Sequence, residues 1–277
     1  MRYDSDVDSS TRIAAYLDQL SQLRPLVSII LFGSAAKQAF VADTSDVDLF
    51  LVMPDEATAE DRERLRRQVA ELEIAHGFRL PDGPPKNPFV KFAERAAGHA
   101  MSNFIFRRAD LLSGDVARIF DLRPAEAIFV DRILLPSIIV SARTVWGEDL
   151  LHRVPLPPLR RLDIAKALFQ FVNVIVMSTV AYRILPDATR YAMGVLKHSL
   201  HNCYCCYRHE NAAVDEEIAF FEAKLGPCPI LQDLLARRRR YQPSIRFVLR
   251  CLPVLLRLHL LTARESAFPS IVKRPAQ

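Results

Sequence analysis

The sequence predicts an α+β fold, in which an N-terminal mixed sheet with flanking helices is followed by a C-terminal all-helical bundle. Two short apolar runs, residues 27–32 and 47–53, have the length and composition of buried strands. After about residue 160, apolar residues recur at helical spacing almost to the C-terminus. The proline-rich segment Val154–Pro158 separates the two parts, so we expect domains at residues 1–153 and 154–277.

The elements of the sheet part are predicted from apolar runs that glycine and proline bound. Gly33 closes the first run and Pro54 ends the second, as is typical at the ends of strands. A charged segment with apolar residues at helical spacing stops at Gly77, which predicts a helix. In chain order, we expect a helix over Thr11–Leu23, a strand over Val27–Phe32, a short helix over Ala35–Phe40, a strand over Val47–Met53, a helix over Glu56–His76 and a strand over Met101–Phe106. The acids before Thr11 are expected in a frayed tail.

The elements of the helical part are longer amphipathic stretches. We expect helices at about 160–182, 189–209, 213–225, 229–240 and 243–262. The first of them is mostly apolar, but Asp163, Lys166 and two amides interrupt it, so it falls short of the roughly 18 uncharged residues of a membrane span. We therefore expect a buried helix there, and no membrane partner.

Composition and charge exclude several classes of protein. The 277 residues are 50% hydrophobic and 25% charged, which excludes disordered and collagen-like chains. Five cysteines, an odd number, do not fit the disulfide framework of a secreted domain. The first ten residues carry three acids where a signal peptide would have basic and apolar residues. We therefore expect a cytoplasmic protein.

The charge is distributed unevenly along the chain. Residues 1–150 hold 18 Lys and Arg against 23 Asp and Glu, whereas residues 151–277 hold 19 against 9. An acidic half suits a divalent metal and a basic half suits phosphates, although solvated surfaces give the same distribution. The overall net charge of +5 is modest for a nucleic-acid-binding protein, so we expect no nucleic-acid partner. The sequence does not indicate the oligomeric state.

The most informative motif joins the two predicted strands. Asp46 and Asp48 are two residues apart at the start of a strand, so their side chains are expected on the same face. Two neighbouring carboxylates repel unless a cation lies between them, and their hard oxygens suit Mg²⁺. Gly33 allows a phosphate to approach the backbone, and Ser34 offers a hydroxyl and an amide to it. The motif thus predicts a metal site beside a phosphate site.

The pair Gly33-Ser34, eleven intervening residues and Asp46-x-Asp48, between apolar strands, strongly resembles the signature of the nucleotidyltransferase superfamily typified by DNA polymerase beta. The segment Thr144–Leu151 and the helical C-terminal half look like the small bacterial aminoglycoside and lincosamide nucleotidyltransferases. The resemblance implies a polymerase-beta-like catalytic domain followed by a helical substrate-binding domain.

The resemblance also implies an activity. An acceptor hydroxyl would attack the α-phosphate of a nucleoside triphosphate, such as ATP, in a Mg²⁺-dependent reaction that releases pyrophosphate. Asp46 and Asp48 would be the catalytic residues and the ligands of the metal. The acceptor would be a small antibiotic-like molecule or, as in antitoxin-like members, a protein hydroxyl. A nucleotide-binding regulatory module without turnover is the alternative of another class.

Two lysines are candidates for nucleotide binding beside Gly33 and Ser34. Lys37 lies inside the short predicted helix after the glycine, where it would contact the β- or γ-phosphate or face water. Lys197 lies on the polar side of the second helix of the bundle. In related transferases a lysine of the helical subdomain reaches the triphosphate, and a solvated basic face is the alternative for Lys197.

The sequence departs from the family pattern at the third acid. Members usually carry it on a later strand, and the matching strand here offers Ser102 and Asn103. Glu94, Asp110 and Asp115 are nearby, but we expect them to be surface or capping acids. A two-metal mechanism could operate without a third acid, because a metal-bound hydroxyl ionises more easily.

Zinc is a weaker hypothesis for the helical part. His198, His201, Cys205 and His209 recur every three or four residues on one predicted helix. One straight helix cannot surround a tetrahedral ion with four of its own residues, so a partner segment would be needed.

Overall fold

The structure is a computed structural model of the 277-residue chain, and it describes residues 4–36, 47–79, 103–122, 131–184, 187–210 and 212–266. The chain divides into two compact units. The described residues of the sheet unit are 4–36, 47–79, 103–122 and 141–155, and those of the helical unit are 131–140, 156–184, 187–210 and 212–266. The predicted α+β class is confirmed, and the predicted domain boundary at residue 153 stays a prediction.

The sheet unit contains four strands and flanking helices among its described residues. In chain order they are α1 (Asp4–Ser21), β1 (Ser28–Phe32), α2 (Gly33–Ala36), β2 (Asp48–Met53), α3 (Ala59–Ala75), β3 (Asn103–Arg107), α4 (Arg108–Ser113), α5 (Val116–Ile119) and β4 (Arg143–Gly147). The strand order is β3-β2-β1-β4. β1 is antiparallel to β2 and β4, and β2 is parallel to β3, so the sheet is mixed as predicted.

One face of the sheet is covered by α1 and α3. Tyr16 and Leu20 of α1 and Leu65 and Val69 of α3 are buried in one core with the strands. Burying apolar surface stabilises the fold by about 25 cal/mol per Å². This core fixes which face of each strand points toward the helices, and it therefore fixes the side on which a functional group of β2 or β3 lies.

The first helix begins earlier than predicted. α1 starts at Asp4, whereas the sequence was expected to form a frayed tail up to Thr11. Extending an existing helix adds one backbone hydrogen bond for each residue fixed, whereas starting a helix is unfavourable, so α1 extends toward the N-terminus from the part that packs on the sheet. The third helix has the expected signals, since Thr58 and Asp61 form a reciprocal capping box at its start.

The helical unit is a bundle of long helices. In chain order its described elements are α6 (Leu134–Ile139), α7 (Arg161–Val180), α8 (Ala188–Arg208), α9 (Val214–Leu225), α10 (Pro229–Arg239) and α11 (Ile245–Glu265). The five long ones match the predicted helices within about three residues at each end. The buried Asp131 accepts hydrogen bonds from the amides of Ile133 and Leu134, at 2.9 and 3.1 Å, and so caps the start of α6.

The prediction that α7 is buried is wrong for one of its sides. Ile164, Ala167 and Val174 are buried in the core of the bundle, but Phe169 and Val180 are exposed. Among the described residues, α7 is also the one helix that is long and apolar enough to cross a membrane by length and composition. An apolar composition predicts burial all round, but the described neighbours of α7 lie on one side of it only.

Candidate active site

The two parts of the sequence motif meet at one end of the β1–β2 hairpin pair. Asp48 is the first residue of β2, and its register partner is Phe32, the last residue of β1. Gly33 and Ser34 follow Phe32 directly and begin α2. Gly33 and Asp48 are thus brought together although fourteen residues lie between them in the sequence.

The carboxylate of Asp48 lies directly against the backbone of Gly33. Gly33 has a φ of +70°, a conformation that favours glycine. A Cβ atom at this position would overlap Oδ2 of Asp48 and would lie 3.0 Å from Cγ. Glycine is therefore needed here for its backbone conformation and for the space that the carboxylate occupies.

An aromatic layer underlies the carboxylate. Residues that are paired in register point to the same face of a sheet, so Phe32, Asp48, Phe50 and Phe104 share one face. The ring centroids of Phe32 and Phe50 are 4.6 Å apart, and those of Phe50 and Phe104 are 5.8 Å apart. Phe120, next to α5, packs edge-on against Phe104 at 4.8 Å. This apolar layer lowers the local dielectric constant beside Asp48, which strengthens the attraction of its carboxylate for a cation.

The other predicted site residues lie in different parts of the chain. Ser34 is the second residue of α2 and is half-buried. Asp46 and Lys37 lie outside the described residues. Lys197 is half-buried on α8, in the helical unit. The roles predicted for all of them, and for Gly33 and Asp48, stay predictions.

The structure corrects the expected position of the third acid. Asn103 is paired with Leu49, so it points to the helix-covered face of the sheet, opposite to Asp48. Its side-chain amide donates hydrogen bonds to Oε1 of Glu73 at 2.6 Å and to the hydroxyl of Tyr16 at 3.4 Å. Asn103 therefore links β3 to α3 by a hydrogen bond, and it does not occupy the position of a metal ligand. Ser102 lies outside the described residues.

The buried acid Glu73 was not predicted from the sequence. Its carboxylate, with Arg79 Nη1 at 3.7 Å, lies under the start of β3. Burial and then the neighbouring Glu73 carboxylate raise the pKa of Tyr16. The signal was present in the sequence, because Leu65, Val69 and Glu73 are spaced by four and form the buried side of α3.

The remaining acids near β3 are capping residues, as expected. Asp110 accepts a hydrogen bond from the amide of Arg107 at 3.2 Å at the start of α4. Asp115 is the N-cap of α5 and accepts from the amide of Ala117 at 2.9 Å. Glu94 lies outside the described residues.

The structure does not support the zinc hypothesis. Nδ1 of His201 is 2.6 Å from Oε1 of the buried Glu217, so this histidine is engaged in a hydrogen bond between α8 and α9. Cys205 is buried. Within the described residues there is no group of three or more His, Cys, Asp or Glu side chains that could hold a metal ion.

The match to a family model agrees with the motif. Residues 13–82 match the family model described as nucleotidyltransferase domain. Among solved structures, spectinomycin adenyltransferase AAD(9) from Enterococcus faecialis, determined with ATP and spectinomycin, matches with 11% sequence identity and a TM-score of 0.49. The match covers 90% of this chain and 97% of that chain. No curated protein matches the chain.

Proposed function

We propose that this enzyme, a member of the nucleotidyltransferase superfamily, transfers a nucleoside monophosphate from a nucleoside triphosphate such as ATP to a hydroxyl group of a small molecule. Mg²⁺ is the proposed cofactor and pyrophosphate is the second product. The acceptor class is that of antibiotic-like molecules, because Thr144–Leu151 and the helical half look like small antibiotic-modifying members of the superfamily.

The observation that carries the proposal is the contact between Asp48 and Gly33. A carboxylate at the first position of a buried strand is held against the bare backbone of a glycine, where a side chain would displace it. Its hard oxygen atoms suit Mg²⁺, and the residue two positions earlier, Asp46, supplies a second carboxylate in the sequence. The donor chemistry therefore fits the cofactor, and Asp46 and Asp48 would hold it.

Mg²⁺, when bound, neutralises charge on the triphosphate and lowers the pKa of a coordinated hydroxyl. The protein contributes mainly orientation, as in other phosphoryl-transfer sites. Asp48 is held by its position on β2 and by the backbone of Gly33. Phe50 under it is fully buried, so the base of the site excludes water. Ser34, Lys37 and Lys197 are the proposed contacts of the triphosphate.

The test is pyrophosphate release from ATP and GTP, measured with and without Mg²⁺ against a panel of aminoglycoside and lincosamide acceptors. Asp48→Asn removes the charge of the carboxylate and keeps its size, and we expect turnover to fall by about a hundredfold or more. Asp18→Asn, the same change at an exposed position of α1, is the matched control and is expected to keep full activity.

Two outcomes would contradict the proposal. One is full turnover by the Asp48→Asn variant, which would show that this carboxylate is not part of the site. The other is stabilisation of the wild-type protein by nucleotide without pyrophosphate release with any acceptor, which would favour a nucleotide-binding module. If the acceptor is a protein and not a small molecule, labelled nucleotide is expected to appear on a protein band after gel electrophoresis.

A further inference from the structure

One side of the helical unit presents large apolar side chains to solvent. On α7, Leu162, Phe169, Val176 and Val180 are 62%, 54%, 48% and 82% exposed. They follow one another at intervals of seven, seven and four residues, so they form a single stripe along the helix. Scattered exposed apolar residues are normal in a monomer, but a continuous stripe of them indicates a contact surface.

A second stripe lies on α11, beside the first. Leu249, Leu256 and Leu260 are exposed at intervals of seven and four residues. Leu256 is one turn from His259, whose ring centroid is 5.7 Å from that of Phe171 on α7, so this stripe is on the side of α11 that adjoins α7. Together, the seven exposed residues of the two stripes form what we call the apolar face.

The two helices run antiparallel across this face. The amide of Ser244 donates to Oγ1 of Thr189 at 2.9 Å, and Oγ of Ser199 is 3.3 Å from Nδ1 of His259, so α11 is parallel to α8. The short connection between α7 and α8 makes these two helices antiparallel. α7 and α11 therefore lie antiparallel as neighbours, which is the arrangement of one half of a four-helix bundle.

Polar groups on the α7 stripe are already satisfied within the helix. The side-chain amide of Asn173 donates to the carbonyl of Phe169 at 2.8 Å, and the hydroxyl of Thr179 donates to the carbonyl of Ile175 at 2.8 Å. Between Lys166 and Arg183 the sequence has no charged residue and no histidine. Lys166 lies on the same side of α7, between Leu162 and Phe169, so the uncharged part of the stripe runs from Phe169 to Val180. Covering that part would leave no charge and neither of these polar groups without a partner, which removes the main cost of burial there.

The size of the apolar face is that of a protein interface. With about 150–200 Å² for a fully exposed Val, Leu or Phe, the exposed fractions correspond to roughly 600–800 Å². A specific dimer of standard size buries about 800 Å² per partner, whereas the largest apolar patch of a typical monomer is about 300–600 Å².

We propose that the apolar face is the interface of a two-fold symmetric homodimer. In such an interface each surface meets its own copy, so a centre without charges needs no complementary partner. The exposed arginines at positions 246, 250, 257 and 264 of α11 lie beyond the leucine stripe, on the side away from α7. They stay at the rim in water, where like charges on the two copies are screened by salt.

The test is the mass of the full-length protein by sedimentation equilibrium and by light scattering, between about 1 and 50 μM. The wild type is expected to have twice the chain mass of 31.4 kDa. Val176→Asp puts a carboxylate at the centre of the apolar face, and because Val176 is exposed in the single chain, the variant is expected to fold normally. We expect its dissociation constant to rise at least a hundredfold. Ala236→Asp, the same type of change at an exposed position of α10, is the control and is expected to stay dimeric.

Measurements with salt and with lipid vesicles distinguish a dimer interface from a membrane-binding surface. A dimer with an uncharged centre is expected to persist in 0.5 M NaCl. A monomeric wild type at 50 μM overturns the proposal, and so does a Val176→Asp variant that dimerises as well as the control. If the monomer instead floats with phosphatidylglycerol vesicles and is released by salt, the apolar face with its arginine rim binds an anionic lipid surface and the dimer interpretation is wrong. Because the dimer test does not depend on turnover, it can fail independently of the proposed activity.

Discussion

Replacing Gly33 by alanine tests the geometry of the candidate active site with a single added methyl group. The Cβ atom would overlap Oδ2 of Asp48, so the carboxylate must move by about 1 Å to restore an ordinary contact distance. A displacement of that size at a catalytic group lowers activity about a hundredfold. Alanine at a φ of +70° also costs about 1 kcal/mol of stability, because the left-handed conformation strains any residue with a side chain.

Gly77→Ala is the matched control for this variant. Gly77 has a φ of +69°, so alanine there has the same backbone cost, but its Cβ would meet only Nη1 of Arg12, at an ordinary 3.7 Å. Both variants are expected to lower Tm by about 2–4 °C for each kcal/mol lost. Only Gly33→Ala is expected to lose turnover in the Mg²⁺-dependent pyrophosphate assay. Equal activity of the two variants would refute the inference that the carboxylate of Asp48 must occupy the space above Gly33.

Two further predictions concern the half-buried Asn103 and the buried Asp131. Asn103→Asp is expected not to raise turnover, because the new carboxylate faces Glu73 on the side of the sheet opposite to Asp48. Repulsion between the two carboxylates should lower Tm by several degrees. A gain in turnover would contradict this placement of residue 103. Burial raises the pKa of Asp131 from 3.8 to about 6, so its ionisation in the folded protein costs stability as pH rises through this range, by up to about 3 kcal/mol. Asp131→Asn keeps an oxygen acceptor for the α6 cap and stays neutral. Its stability in urea relative to the wild type should therefore rise between pH 4 and pH 6.5, and a constant difference would show that Asp131 is not desolvated.

Amphipathic periodicity predicted the long helices well because it reports directly which side of a helix is buried. The five long helices of the bundle start and end within about three residues of their predicted positions. The strands β1 and β2 were predictable for a similar reason, since each is a continuous buried run closed by glycine or proline. The contact between Gly33 and Asp48 also followed from the sequence in outline, because both residues flank those strands.

The features that were not predicted depend on partners distant in the sequence. The strand containing Asn103 was recognised, but the face on which Asn103 lies depends on its register against β2, and a shift of one residue reverses it. The sequence from Ile133 to Trp146 is largely apolar, and it does not show that the segment divides into α6 and β4, because apolar content alone does not distinguish a short helix from a strand. The exposed side of α7 was missed because composition cannot show on which sides a helix has neighbours.

The most direct measurement of the central claim is an experimental structure of the protein with Mg²⁺ and a non-hydrolysable nucleoside triphosphate. The claim predicts a metal ion about 2.0–2.1 Å from a carboxylate oxygen of Asp48, with the triphosphate beside Gly33 and Ser34. A nucleotide bound elsewhere, or a metal ion that Asp48 does not contact, would contradict it.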